Sequence, residues 1–279
     1  MTMIPARSAA AASDVLSATR RTRDGWVILG GVGCITASAW IYVVVQARQM
    51  SAGMMSSSMV GPTQSTDQAR MWTAVEFGLM LLMWAVMMVA MMLPSALPMT
   101  LVYAAVVRKA GRGQHPVAPT GVFVTGYLAM WGLFALAATA VQMGLEHWSV
   151  LTPAMAAASP RLAGGLLIGA GVYELTPLKH ACLAQCRAPA HFIAQHWHAG
   201  PFGGLRTGLA LGAYCLGCCW ILMGLLFVGG VMNLTWIVAI AAFVLFEKTV
   251  RFGELGGRLV GAALILLGIV SLTGVIALG

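Results

Sequence analysis

Long runs of apolar residues without a formal charge constrain this chain more than any motif does. Between Arg206 and Glu247 there is no Asp, Glu, Lys or Arg at all, and a chain in water cannot bury so much greasy surface in a single run. One helical crossing of a bilayer takes about 20 such residues. Over the whole chain of 279 residues, 59% are apolar and 9% charged, far from soluble globular composition. Strand-like alternation is absent, which argues against a barrel.

About seven runs have the length and character of spans. The first runs from Trp26 to about Gln46. The second runs from about Thr73 to Val107, with Pro94 and Pro98 expected to kink or break it. The third covers roughly Gly121 to Met143, and the fourth runs from Leu162 toward Pro177. A fifth and sixth share Leu205 to Phe246, divided near Gly229, Gly230 and Asn233, and the seventh is Val260 to Leu278. The expected fold class is therefore all-α: a polytopic transmembrane helix bundle. Residues 26–279 form a single domain, and residues 1–25, rich in Ala and Ser, form a disordered cytoplasmic tail.

Cytoplasmic segments are enriched in Lys and Arg. With the amino terminus inside, thirteen basic residues fall on the inner side and only Arg48, Arg70 and Arg161 on the outer. This asymmetry accounts for the net charge of +8 without a nucleic-acid partner. The expected location is a bacterial inner (cytoplasmic) membrane, crossed several times. The lipid bilayer is the first partner, with a metal chaperone or other membrane subunits beyond it. From Arg48 to Arg70 the chain reads as a flexible outer loop carrying SAGMMSSSM.

Chemistry must then sit in the spans and short loops. Cys182 and Cys186 form a C-x3-C pair, and Cys215, Cys218 and Cys219 a C-x2-C-C group. Spacings of three and four place side chains on one helix face. Two such faces brought together offer the soft sulfur donors that select Cu⁺, Zn²⁺ or an iron–sulfur cluster. Thiolates need a nearby cation, and Lys179, His180 and Arg187 flank the first pair. If the fifth helix begins at Leu205, Cys215 lies about 15 Å in and the groups miss each other. They meet if Gly203, Gly204, Gly208 and Gly212 delay that helix, or if the segment after Pro177 folds back. The delayed start is the expectation. Cys34 stands alone and reads as a small packing residue.

Glu174, Lys179, Glu247 and Lys248 fall within or at the edge of spans, where charges need partners. A cross-helix pair, Glu174 with Lys248 or Glu247 with Lys179, is the simplest arrangement, and proton relay or hard-metal ligation is the alternative. Glu76 reads as interfacial. Met80, Met83, Met87 and Met91 follow helical spacing, with Met88 and Met92 beside them; such a stripe either packs the core or passes a soft ion. Met50, Met54, Met55 and Met59 suggest copper capture outside. His191, His196 and His198 read as solvated loop residues, His147 as part of an outer belt, and His180 as a candidate ligand.

These residues also resemble a known family. YELTPLKHACLAQCR at 173–187, GCCWILM at 217–223, GGVMNLTW at 229–236 and FEK at 246–248 are similar, in order and spacing, to the bacterial predicted metal-binding integral membrane proteins, whose defining domain is of unknown function. MWAVMMVAMMLPSALP at 83–98 resembles that family's other signature. The resemblance covers about residues 70–275 and implies a polytopic metal-binding protein. The expected function is soft-metal handling, by delivery, tolerance or transport, through Cys182, Cys186, Cys215, Cys218, Cys219 and His180, with copper first and zinc second. An iron–sulfur or haem centre stays open. The alternatives are a membrane thiol–disulfide oxidoreductase and a structural subunit of a larger complex. No phosphate loop, zincin motif or nucleophile elbow is present, so enzyme chemistry is not the leading reading; Ser95 has no base near it in sequence and is not a candidate nucleophile.

Overall fold

A computed structural model describes residues 23–60, 72–110, 116–148, 150–152, 155–157, 159–198, 202–250 and 252–273. The expected tail falls almost wholly outside the described residues, as does the stretch from 61 to 71. Among the described residues the chain is helical, with only an isolated bridge between Leu151 and Ala157. In chain order the helices are α1 (Arg23–Val60), α2 (Ala74–Ala110), α3 (Val117–His147), α4 (Pro160–Glu174), α5 (Pro177–Arg187), α6 (Pro189–His196), α7 (Gly203–Gly224), α8 (Leu226–Gly229), α9 (Leu234–Thr249) and α10 (Gly253–Leu272).

Each expected apolar run is a helix, but among the described residues only five helices, with α7 and α8 taken together, are long and apolar enough to cross a membrane. The other two, α4 and α9, have 15 and 16 residues, short of the roughly 20 a crossing takes. Charge explains both ends, because α4 stops at Glu174 and α9 reaches Glu247 two residues before its end. The loop expected from Arg48 does not begin there, since α1 continues as helix to Val60. Nor do Pro94 and Pro98 break α2, which runs through both. Side-chain hydroxyls feed carbonyls along this stretch: Ser95 Oγ donates to Met92 O at 2.9 Å and Tyr127 Oη to the same oxygen at 3.1 Å. Donors of this kind let a buried helix tolerate proline.

Local sequence accounts for the breaks between helices. Ser159 and Thr176 cap α4 and α5 by accepting from Arg161 N (3.2 Å) and Lys179 N (3.3 Å), each followed by proline at the first helical position. Asn233, expected as a turn former, is the cap of α9, accepting from Trp236 N at 3.2 Å. Glu76 closes a reciprocal box with Thr73 at the start of α2, its Oε2 accepting from Thr73 N at 2.9 Å.

The core lies between α2, α3 and α7. Trp84, Met87, Met88, Met92, Phe123 and Met223 are completely buried there, so the methionine stripe of α2 is core from Met83 onward, with Met80 half-buried at its edge. Gly208 and Gly212 let α7 lie against the backbone of α3. A Cβ at Gly212 would stand 2.7 Å from Met130 Cβ, and one at Gly208 2.9 Å from Phe123 C. Small residues at four-residue spacing are how helices approach closely in an apolar medium. These glycines therefore pack α7, which begins at Gly203 with no delay. Cys34, expected to be packed, is exposed on α1.

Candidate metal centre

The two thiol-bearing helices come together because the segment after Pro177 folds back, not because α7 starts late. After the Thr176–Pro177 break, α5 turns back and packs along α7. Cys215 is about 18 Å along α7 from Gly203 and near its middle, and α5 comes to that level. The closest approach is at Gly217, where a Cβ would stand 2.9 Å from Cys182 Sγ. Tyr173 Oη donates to Gly217 O from the end of α4. Cys186, like Cys182, is half-buried and packs against the buried cluster that contains Cys215, Cys218 and Cys219. Cys215, Cys218 and Cys219 are each 1% exposed, and all six cysteines are free.

Lys248 supplies the cation. Its Nζ donates to Cys215 Sγ at 2.8 Å and to Ser95 Oγ at 3.1 Å, and Tyr127 Oη lies 3.1 Å from the same sulfur. Of the groups expected to serve the thiols, Lys179 and Arg187 have other partners. Arg187 pairs with Glu254 at 3.5 Å and donates to Val250 O at 2.7 Å. The Nδ1 of His180 is buried without a hydrogen-bond partner, and no hydrogen bond joins it to sulfur among the described residues. Ser95 is part of the site after all, as an acceptor for lysine.

As they stand, no three His, Cys, Asp or Glu side chains among the described residues form a ready metal cage. The reason is visible in the thiols: Cys218 Sγ and Cys219 Sγ both donate back to Cys215 O, at 3.0 and 2.9 Å. Such back-bonding satisfies a protonated thiol in a helix. To ligate, these sulfurs must lose their protons and turn away from that carbonyl. The donor set is soft and supplied by two helices, buried on α7 and half-buried on α5, which suits Cu⁺.

Beside the thiols, the four accessory charges divide in a way only partly expected. Lys179 Nζ pairs with Glu174 and, at 2.7 and 2.8 Å, with both oxygens of Glu247. The Glu247–Lys179 pairing matches one of the expected pairs; Glu174 with Lys248 does not form, because Lys248 turns to Cys215. The triad is 0 to 2% exposed and ties α4, α5 and α9 together, with α10 fitting against it through Gly257 and Gly261. It thereby sets where α5 presents Cys182 and Cys186. Two of the basic residues assigned to inner loops, Lys179 and Lys248, are thus in the helical interior, leaving eleven against three.

The histidine segment is helical too. His196 stacks on Phe192 at 4.6 Å and lies edge-on to Tyr214 at 5.5 Å, while His191 and His198 are exposed. Of the expected external methionines, Met50 packs partly against the core; the side chains of Met54, Met55 and Met59 lie outside the described residues.

Sequence reading missed Tyr127, Ser95 and Gly217. Tyr127 carried a signal, as a hydroxyl in the middle of an apolar run; Gly217 carried none beyond its place between Cys215 and Cys218.

Fold and site together define an all-helical protein, with five helices apolar enough to cross a membrane, that gathers buried thiols around a lysine. The chain matches the PpoB2 family, described as copper chaperone, over residues 81–271, and belongs to it. The matched stretch contains all five clustered cysteines and the methionines of α2 from Met83 onward. No curated protein and no solved structure matches the chain.

Proposed function

We propose that this protein is embedded in a bacterial inner membrane and holds Cu⁺ for delivery or transfer at the sulfurs of Cys186, Cys215, Cys218 and Cys219, with Cys182 at the edge of the site. One observation carries this reading: α5 packs on α7 with Cys182 against Gly217, between Cys215 and Cys218, and with Cys186 against the buried cluster that holds all three α7 thiols. Membership of a copper chaperone family supports copper over zinc.

Embedding is supported by the five long apolar helices and by the basic residues gathered toward one side of the expected topology. α4 and α9 complete the seven crossings as short helices, and α5 and α6 form a re-entrant element shielded by protein, the setting in which interrupted helices are tolerated at membrane depth. With the amino terminus inside, the thiols sit near mid-membrane, deeper than a site at the cytoplasmic surface.

Lys248 holds a cation's place beside Cys215 before copper arrives. Copper entry removes protons from the thiols and displaces the ammonium toward Ser95. Elemental analysis of the protein purified in detergent, with Cu⁺ supplied under reducing conditions, tests the reading. About one tightly held copper is expected at the thiols, lost in Cys218→Ser/Cys219→Ser. Reversible loss of titratable thiols on mild oxidation, with no retained metal, would instead establish thiol–disulfide exchange.

A further inference from the structure

A second polar cluster lies at the other end of the same helix pair. Gln142 is completely buried in α3. Its Oε1 accepts from Trp84 Nε1 at 2.8 Å, which fixes which way the amide faces. The Nε2 then faces three acceptors: Glu146 Oε1 at 2.8 Å, Met155 Sδ at 3.3 Å and Met80 Sδ at 3.5 Å. An amide nitrogen has two protons, so the pocket presents more acceptors than the group at its centre can serve. Two of them are thioethers, which are weak hydrogen-bond acceptors but good ligands for a soft monovalent ion.

The surrounding residues hold this arrangement in place. Trp72 Nε1 donates to the other oxygen of Glu146 at 3.0 Å. Met155 is the only described non-glycine residue with positive φ, at 56°. Its turn is held by Met155 N to Thr152 O and Thr152 N to Ala156 O, both 2.8 Å, and tied to α8 by Ala157 N to Phe227 O at 2.7 Å. Backbone held in a sparsely populated region marks a place where side-chain position matters. Here it aims a thioether at the Gln142 amide, which the Glu146 carboxylate also meets.

We propose that Met80, Met155 and Glu146 form a second Cu⁺ site, with the Gln142 amide occupying the ion's position in its absence. Two soft sulfurs select the ion, and Glu146 balances its charge. Met80 is fifteen residues before Ser95 on α2, and Gln142 fifteen after Tyr127 on α3. Both offsets place the cluster about 22 Å from the thiol pocket along one seam. Met83, Met87, Met88, Met91 and Met92 of α2 lie buried between the two levels. With the amino terminus inside, this is the outer end, so the site receives copper before the thiols do. That role as a loading site, though not the site's existence, rests on the thiol reading above.

The test uses full-length protein in detergent, labelled with selenomethionine, titrated with Cu⁺ against a chromophoric Cu⁺ chelator and examined by copper X-ray absorption. In a variant with all five clustered cysteines changed to Ser, about one Cu⁺ is still bound, and copper–selenium scattering is present. Adding Met80→Leu and Met155→Leu, which keep size and apolarity, weakens that binding at least roughly tenfold and removes the selenium signal. Thermal unfolding of each variant confirms that it is folded. A folded cysteine-free protein that binds no Cu⁺, or whose copper–selenium signal survives both substitutions, overturns the proposal. Loss of copper from the Cys218→Ser/Cys219→Ser protein bears only on the thiol site.

Discussion

Replacing Lys179 by Met should be among the most damaging single changes in this protein. Its ammonium is 1% exposed and contacts two carboxylates, Glu174 and Glu247, the latter with Nζ–O distances of 2.7 and 2.8 Å. At an effective dielectric constant of about 20, one unit pair at that separation attracts by about 6 kcal/mol. Desolvation offsets much of this, so the pair adds little net stability when intact. Removing the cation alone is different, because it leaves two buried carboxylates facing each other without compensation. The expected loss is about 3–5 kcal/mol. Thermal unfolding in a mild detergent, followed by helical circular dichroism, should show it as a drop of roughly 6–20 °C. The matching control changes all three groups together, Glu174→Leu, Lys179→Met and Glu247→Leu; its stability should stay close to that of the unaltered protein or exceed it, since no charge is left stranded. If Lys179→Met unfolds at the original temperature, or if the triple variant is worse than the single one, the electrostatic argument is wrong. The triad also positions α5, so Lys179→Met should weaken copper retention even at temperatures where the protein remains folded.

Other consequences follow from particular contacts. Gly217→Ala places a methyl 2.9 Å from Cys182 Sγ, forcing α5 off α7; a stability loss of about 1–3 kcal/mol, together with weaker Cu⁺ retention in chelator competition, is expected, and full retention would show that α5 takes no part in binding. Gly208→Ala drives a methyl into the backbone of Phe123, and should lower the unfolding temperature by at least the same overpacking cost while leaving the thiols themselves intact. Asn233→Ala removes the α9 cap and should cost about 1 kcal/mol; unchanged thermal stability would argue against that cap. Ser95→Ala withdraws an acceptor from Lys248 and should alter copper affinity more than global stability, as chelator competition and thermal unfolding measured in parallel would reveal.

Most of the elements could be found in the linear chain because their physical causes are local. Charge-free apolar runs mark the helices, Ser159–Pro160 and Thr176–Pro177 mark two starts, and Asn233 marks a third. Helical spacing placed Cys215 with Cys218 and Cys219, and Cys182 with Cys186. Local pattern misjudged where helices stop, as at Arg48 and Pro94, because continuation there depends on neighbouring helices and side-chain donors supplied from elsewhere.

What needed three dimensions was every partnership across the chain. Glu174, Lys179 and Glu247 could be read as charges requiring company, yet spacing alone could not decide that Lys179 takes both carboxylates and leaves Lys248 for Cys215. The same holds for Tyr127 and Ser95, which reach the site from α3 and α2 at separations of 88 and 153 residues from the groups they touch. A sequence records which side chains a helix carries and on which face. Which faces then lie together depends on how closely two backbones can approach, and here glycines at 208, 212 and 217, silent as chemistry, set that distance.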